Sequence, residues 1–364
     1  MISQRNHALD FLRGITILLM VVVNNQGDWT HVYPLLRHAT WHGFLGADIV
    51  FPLFLFVAGY AAALKIERTN TIASAYFLSL SRRAALLFSI GLFLNGWPFG
   101  ILGGTEFHLS TLRLLGVLQR IALCVFFGGV ILWHIRSVRI TILSVACLFI
   151  FYEIGMRVCI GEYNGQRFGQ SFELFTNYAR FVDTALLPER MLYRVQGIPF
   201  DPEGLFTTLT ATASFLLGAL CFRMKKGRLL ATAILFFMVA AILPVEPINK
   251  QLWTLPYTLL TGATAFLLLT MLERLKWDVP HFWQRPILAM GKNPLMLYAL
   301  SVLIAKTLAL GKVSDNLSLK AHIYGAFTQL PITPETASLC YALFLVFVVV
   351  WMARLLRGVS LTAR

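Results

Sequence analysis

Long apolar runs alternate with short polar joints along most of this chain. Ten runs stand out, at 8–25, 45–65, 82–99, 114–133, 138–155, 204–223, 228–245, 253–272, 286–307 and 337–357. Each is about 18 to 22 residues long, enough for a helix to cross a ~30 Å hydrocarbon layer. Barrel strands would be half that length and would alternate in polarity, so the pattern predicts helices. Runs 114–133 and 138–155 are nearly continuous, but HIRSVR (134–139) puts charge between them and divides them. The largest polar piece is 156–203. It carries both charge signs and several aromatics, which predicts a partly ordered cap rather than a linker. It ends in PFDPEG (199–204), where Asp201 is the expected N-cap and Pro202 the first helical residue of the next span.

Composition turns this pattern into a class. The 364 residues are 57% hydrophobic and 13% charged, about half the charge of a soluble domain. Mean hydropathy is +0.70. The expected fold is an all-α, polytopic integral membrane bundle of about ten transmembrane helices. It forms a single domain, 1–364, with a polar insertion at about 156–203. The start, MISQRNHALDFLRG, has no small-residue cleavage site after its apolar run, so that run is expected to remain as the first span.

The net charge of +14 does not point to nucleic acid, because the basic residues are scattered through the joints. They recur in every second joint: Arg5; Lys65, Arg68, Arg82 and Arg83; Arg136 and Arg139; Arg223, Lys225, Lys226 and Arg228; Arg274, Lys276 and Arg285; then Arg354, Arg357 and Arg364. The positive-inside rule puts these joints, and both termini, in the cytoplasm. The other joints and the insertion then face outward, into the periplasm if the membrane is a bacterial inner membrane. Four of the five cysteines lie in apolar runs and Cys159 is alone, so neither disulfides nor a metal site are expected.

Candidate chemistry concentrates in the joint at 24–52, NNQGDWTHVYPLLRHATWHGFLGADIVFP. A membrane protein rarely places Asn24, Asn25, Asp28, His31, His38, His42 and Asp48 so close together. His38, flanked by Arg37 and Trp41, could act as a base near neutral pH, or decorate the surface. Asp48 could orient its ring, as the acid of a hydrolase triad does, although Asp28 is also near and His31 and His42 compete for the role. Asn24 closes the first run, either as a donor to an oxyanion or as a helix cap. In LDFLRG (9–14), Asp10 and Arg13 share a helix face, either pairing with each other or leaving Arg13 for an anionic cofactor. In LRLLGVLQR (112–120), Arg120 lies about 10 Å down the helix from Arg113. That depth in lipid marks a functional residue or a buried ion pair. PINKQLW (247–253) offers Asn249 and Lys250 to a polar molecule, or forms an ordinary membrane-edge loop. GKNPLMLY (291–298) interrupts the ninth run, with Lys292 able to bind phosphate or to snorkel.

These stretches also carry a resemblance. LDFLRG, VVVNN, RHATWHG, ADIVFPLFLFVAG, LLGVLQR, DPEG, PINKQLWTLPY and GKNPLMLY occur in the same order in transmembrane acyltransferases related to heparan-α-glucosaminide N-acetyltransferase. The chain resembles the bacterial members linked to amino-sugar metabolism more closely than the lysosomal enzyme. The resemblance implies acetyl-CoA as co-substrate, reaching the bundle from the cytoplasm, and an amino-sugar acceptor such as glucosamine. It implies catalytic roles for His38, Asp48 and Asn24, with His38 as general base or acetyl carrier. Arg120, Arg13, Arg113, Arg82, Arg83 and Lys292 are the candidates for binding the cofactor. Asn249, Lys250, Trp41, Asp201 and Glu203 are those for the acceptor. The lysosomal member carries an extra N-terminal segment that this chain begins without, so a free amino sugar is expected rather than a polysaccharide end. No metal is expected. The lipid bilayer is a partner, and the membrane helices could pair into a homodimer. The competing readings are an amino-sugar transporter, which would share the ten spans and the intramembrane polar residues, and an O-acyltransferase of a surface glycan.

Overall fold

The computed structural model describes residues 6–68, 72–102, 107–242, 246–275, 277, 281–282, 284–314 and 317–355. Arg5, Lys276, Arg357, Arg364 and the last residues of the seventh and tenth expected spans lie outside the described residues.

Every apolar run folds as helix. Among the described residues the helices, in order, are α1 (His7–Asn24), α2 (Val50–Arg68), α3 (Ala73–Gly96), α4 (Val117–His134), α5 (Val138–Arg157), α6 (Tyr178–Leu186), α7 (Thr208–Arg223), α8 (Lys226–Ile242), α9 (Leu255–Glu273), α10 (Gln284–Met290), α11 (Pro294–Leu310), α12 (Leu319–Thr328) and α13 (Pro334–Leu355), of which α6 and α12 lie outside the apolar runs. Seven of them are long and apolar enough to cross a membrane, α2 together with the turn Gly46–Ile49 ahead of it, and the bent pair α10–α11 makes an eighth. The chain is a polytopic helical membrane protein. The sixth and seventh expected spans, α7 and α8, have only 16 and 17 described helical residues, about 24–26 Å at a 1.5 Å rise.

The short α7 forms the centre of the bundle. Every residue from 210 to 221 is buried, and α2, α4, α5 and α9 pack around it. Its sequence, TLTATASFLLGALCFR, explains this. Small residues let neighbouring backbones come close where lipid supplies no hydrophobic drive. Thr208 and Thr212 return their hydroxyls to carbonyls one turn back, at 2.7 and 2.8 Å, so no polar group faces lipid. The tightest crossing is with α2, where two glycines face each other's backbone. A Cβ on Gly59 would lie 1.7 Å from the Phe215 carbonyl oxygen, and one on Gly218 would lie 1.8 Å from that of Phe56.

Two expectations need correction. Asp201 does not cap α7, which starts at Thr208 with Thr207 at the cap position. Asp201 is fully buried and accepts instead from the Glu203 and Tyr193 amides at 3.0 and 3.3 Å. Arg82 and Arg83 do not lie in a joint but inside α3, which begins nine residues before the expected boundary. A helix outruns the membrane where its end residues are good helix formers and its arginines can extend toward water. The interruption at GKNP is sharper than a kink. α10 and α11 meet at 87°, with Pro294 opening α11 and Gly291 pressed so close to α1 that a Cβ would lie 1.8 Å from the Asp10 carbonyl oxygen.

The insertion after α5 is folded. The antiparallel strands β1 (Ile160–Tyr163) and β2 (Gln166–Gly169) turn at Asn164 and Gly165, both with positive φ, as a two-residue hairpin requires. After α6, β3 (Arg194–Val195) and β4 (Ile198–Pro199) form a smaller hairpin with Gln196 and Gly197 at its tip. Phe200, Val195, Leu174, Ala179 and Phe206 pack with Tyr152 and Met156 of α5 and with Trp41 into a core of their own. This seats the insertion over the end of the bundle that carries His38. A third hairpin, β5 (Lys312–Ser314) and β6 (Leu317–Ser318), leads into α12.

Candidate active site

The polar joint between α1 and α2 folds around one carboxylate. Asp48 sits in the turn before α2 and is fully buried. Its Oδ2 accepts from the Leu45 amide at 2.9 Å and the Ala39 amide at 3.2 Å. Its Oδ1 lies 2.8 Å from His38 Nδ1. Arg37 secures the loop from behind by donating to the Val32 carbonyl at 2.7 Å. Tyr257 of α9 donates to the Asp48 carbonyl at 2.7 Å. The sequence left Asp28 as a rival partner. Asp28 is instead engaged by His31 at 2.9 Å and by Thr30, and those hydrogen bonds push its carboxyl down to about 2. His42 is also committed. Its Nδ1 accepts from the Asn249 amide at 3.2 Å and its Nε2 faces Glu173 at 3.3 Å.

A carboxylate only accepts, so the His38–Asp48 contact requires the proton on Nδ1 and leaves the lone pair on Nε2. Lys250 approaches the same ring from the α8–α9 loop, with Nζ 3.4 Å from Nε2, 3.0 Å from Nδ1 and 3.5 Å from Asp48 Oδ1. With Nδ1–H given to Asp48, only Nε2 can accept from Lys250. Burial pushes the His38 imidazole below its ordinary 6.5; the positive Lys250 acts in the same direction, and the bond to Asp48 opposes it. Burial also lowers the Lys250 ammonium, against the pull of Asp48 and Glu203. The result is an oriented imidazole whose burial favours the neutral form, with the Lys250 amine at its edge.

His38 and Lys250 line a cavity of about 450 Å³ at this end of the bundle. Asn24 and Glu203 line it too, and the exposed Asn24 amide makes no hydrogen bond to any described residue. Arg113, expected near the cofactor, is on this wall as well. Asp201 grips its guanidinium with both oxygens, at 2.6 and 2.9 Å, and Glu203 adds a third contact. Burial opposes the charge on Arg113, but the two carboxylates outweigh it and push its pKa up. Asp201 itself lies behind Arg113, outside the lining.

A second cavity, of about 280 Å³, opens toward the opposite end among α2, α3, α4 and the α10–α11 break. Arg13, Arg83 and Lys292 line it, as does Lys65, which sequence reasoning had read only as a topology signal. Arg82, one residue from Arg83, is exposed and lines neither cavity. The two cavities lie end to end. Phe51 lines the first and Phe54, one turn along α2, the second; on α4 the neighbours Val117 and Leu118 divide in the same way.

Three further candidates hold structure rather than face a cavity. Arg120 is fully buried. It donates to the Gly204 carbonyl at 3.1 Å and to the Thr207 hydroxyl, and lies over the Trp253 ring at 5.2 Å, pinning the start of α7 to α4. It is removed from the other cofactor candidates because α4 presents it to α7. Asn249 is fully buried and accepts from the Leu252 amide at 2.8 Å, shaping the turn that delivers Lys250. Trp41 donates to the Phe172 carbonyl at 3.0 Å, with its ring edge-on to Phe200, and so belongs to the core of the insertion. Sequence reasoning missed Tyr193, Arg194, Gln196 and Gln251, all on the first cavity. Gln251 adjoins Lys250 in a motif already marked, but nothing in the pattern around 193–196 signals a site. It also missed Glu246. This residue caps α9 through the Leu255 amide at 2.9 Å, and burial beside Glu153 pushes its carboxyl up to about 8. Among the described residues, no group of three His, Cys, Asp or Glu side chains is placed to hold a metal ion.

Residues 5–169 match the family described as heparan-alpha-glucosaminide N-acetyltransferase, catalytic. The human heparan-alpha-glucosaminide N-acetyltransferase is 25% identical over 88% of this chain and 56% of its own length. The mouse protein of that name is 24% identical over 88% of this chain and 57% of its own. The chain thus spans about half the length of the curated relatives it matches. The family match covers α1 to α5 and both residues of the His38–Asp48 pair, so over this part the chain is similar to the catalytic region of heparan-alpha-glucosaminide N-acetyltransferases, a related group of membrane acyltransferases.

Proposed function

We propose that this protein transfers an acetyl group from acetyl-CoA to the amine of an amino sugar of the glucosamine type. One observation carries the reading: an oriented imidazole stands in a cavity that lies end to end with a second cavity lined by four basic side chains. The second cavity suits acetyl-CoA. Its cations, Arg13, Lys65, Arg83 and Lys292, match the phosphates of the nucleotide, and its apolar walls match the pantetheine arm. Basic joints mark that end as cytoplasmic, the side on which acetyl-CoA is made. The thioester then reaches the layer at Phe51 and Val117, facing His38. The names of the relatives supply the reaction class and the glucosaminide acceptor. In a bacterial host the membrane is the inner membrane.

In the reaction, His38 Nε2 accepts a proton as the sugar amine attacks the thioester carbon. The new C–N bond forms, and the carbonyl oxygen becomes an oxyanion within reach of donors such as Asn24 and Lys250. The C–S bond breaks, CoA leaves as the thiolate, and a proton returns to its sulfur. Asp48 keeps Nδ1 protonated throughout, so the base is always Nε2.

The reading is tested with the purified protein, acetyl-CoA and a panel of amino sugars, by following the released CoA thiol. Release that depends on the sugar is expected, and no release with any amine sinks the reading. Uptake of labelled amino sugar into proteoliposomes without acetyl-CoA would favour a transporter instead.

A pH profile tests the base. A neutral imidazole is the active form, and burial lowers its pKa, so the contribution of His38 to the acid limb of kcat/KM falls below pH 6.5. Removing the positive Lys250 (Lys250→Gln) raises the His38 pKa and moves that limb up. Removing the Asp48 charge (Asp48→Asn) moves it down. The ionisation of the free sugar amine is common to all three proteins and cancels in the comparison. Shifts in the reverse sense exclude His38 as the titrating base.

The cationic cavity makes its own prediction. Arg83→Glu and Lys292→Glu each raise KM for acetyl-CoA by about tenfold or more, the loss of one or two charge-assisted contacts, with kcat little changed. Added salt weakens the wild-type protein in the same direction. Unchanged KM in both variants would place the nucleotide elsewhere.

A further inference from the structure

Tyr193 stands just ahead of the β3–β4 hairpin, on the wall of the first cavity that also carries Arg113 and Glu203. A large aromatic side chain 48% exposed at the rim of a polar cavity invites a reason. Its backbone is held firmly. The Tyr193 amide donates to Asp201 Oδ2 at 3.3 Å and its carbonyl accepts from the Phe200 amide at 2.9 Å. One face of the ring is also held, with the Arg113 guanidinium 4.7 Å from its centroid. That guanidinium cannot swing away, because Asp201 binds it through both oxygens and Glu203 through a third contact. The ring is half exposed and lines the cavity, so the part of it that Arg113 does not cover is open to a ligand.

We infer that the open face of Tyr193 is the platform on which the pyranose ring of the acceptor stacks. This deepens the function proposed above and rests on it. A hexosamine has a face of C–H groups and a rim of hydroxyls. The C–H face is apolar and gains by covering an immobilised aromatic ring, which loses little conformational freedom on binding. The rim needs polar partners in the plane of the sugar, and Glu203, Arg194 and Gln196 stand around Tyr193 on the same cavity. A sugar lying here has His38 and Lys250 within the same cavity to receive its amine. Tyr193 takes no part in bond making. It sets acceptor specificity by binding the ring rather than the amine.

The test compares the full-length protein with Tyr193→Ala and Tyr193→Phe, using two acceptors: glucosamine, and ethanolamine as a primary amine without a ring. Tyr193→Ala is expected to raise KM for glucosamine about tenfold, the scale of one lost aromatic contact, with kcat within about twofold and the ethanolamine constants unchanged. Tyr193→Phe, which keeps the platform, is expected to match the wild type. Thermal stabilisation by acetyl-CoA reports that each variant is folded. The inference is overturned if Tyr193→Ala leaves KM for glucosamine unchanged, as a tyrosine of the membrane interface would. It is equally overturned if both acceptors suffer alike, or if Tyr193→Phe behaves as Tyr193→Ala. Glucosamine binding is read in parallel as protection from thermal unfolding. If no amine is acetylated by the wild type, the proposed function fails. Protection lost in Tyr193→Ala then still supports the platform, and protection retained overturns it.

Discussion

His38→Ala is expected to lower the proposed acetyl transfer to glucosamine by roughly two to four orders of magnitude, the range typical of a lost general base. The released thiol measures the loss. Binding of acetyl-CoA, read as thermal stabilisation, is expected to stay near wild type, because the basic side chains of the second cavity lie at the other end of the bundle. Asp48→Asn also depresses transfer strongly, for a different reason. The new side-chain amide can present an N–H to Nδ1 where the carboxylate presents only lone pairs, and a ring that accepts at Nδ1 carries its proton on Nε2, where the base is needed. Asp48 also accepts from the Ala39 and Leu45 amides, so this variant is checked for folding by the same thermal measurement. Transfer by His38→Ala within threefold of the wild type would remove His38 from the mechanism.

The second large effect is on folding. Gly218→Val and Gly59→Val each place a branched side chain where a backbone carbonyl already stands, 1.8 and 1.7 Å from the new Cβ. No rotamer relieves such a clash, because the obstructing atoms are main chain, and α2 and α7 must separate. Overpacking of this kind costs about 1–3 kcal/mol or more. Here it strikes the most heavily packed helix pair of the bundle. Melting temperature is expected to fall by about 10 °C or the protein to be lost on purification. Gly227→Ala is the control. It sits in α8 with open space around its Cβ position, and should purify and melt as the wild type does. Normal melting of Gly218→Val would mean that α2 and α7 are not packed as described.

Much of this fold is legible along the chain. An apolar run of membrane length can satisfy its backbone in lipid only as a helix, so each of the ten runs marks a helix, and charge at HIRSVR divides α4 from α5. The Pro294 break is legible too, because proline cannot continue the hydrogen-bond ladder of α10. Boundaries at water are less so. The start of α3 runs past Arg82 and Arg83, since nothing stops a helix at the membrane surface when its residues tolerate both environments.

The candidate site divides in the same way. The polar joint at 24–52 declares itself by composition, since unpaired polar groups are expensive near lipid. That His38 meets Asp48 rather than Asp28 does not follow from spacing. It is decided by the turn that buries Asp48 under the Ala39 and Leu45 amides, while Asp28 closes a local turn with Thr30 and His31. Arg113 and Arg120 were grouped by one motif, yet the first lies ahead of α4 on the wall of the first cavity, while α4 buries the second against α7.

By itself, then, the sequence determined the membrane class, the helices and the stretch in which the polar groups of the candidate site concentrate, because burial in lipid leaves a periodic and compositional mark on every residue involved. Tertiary packing alone decided which groups meet. It brings Lys250 to His38 across 212 residues, sets Tyr193 on Arg113, and turns Asn249 and Trp41 from candidate ligands into supports. Such contacts depend on how whole helices and loops dock, and a side chain's type carries no record of its distant neighbour.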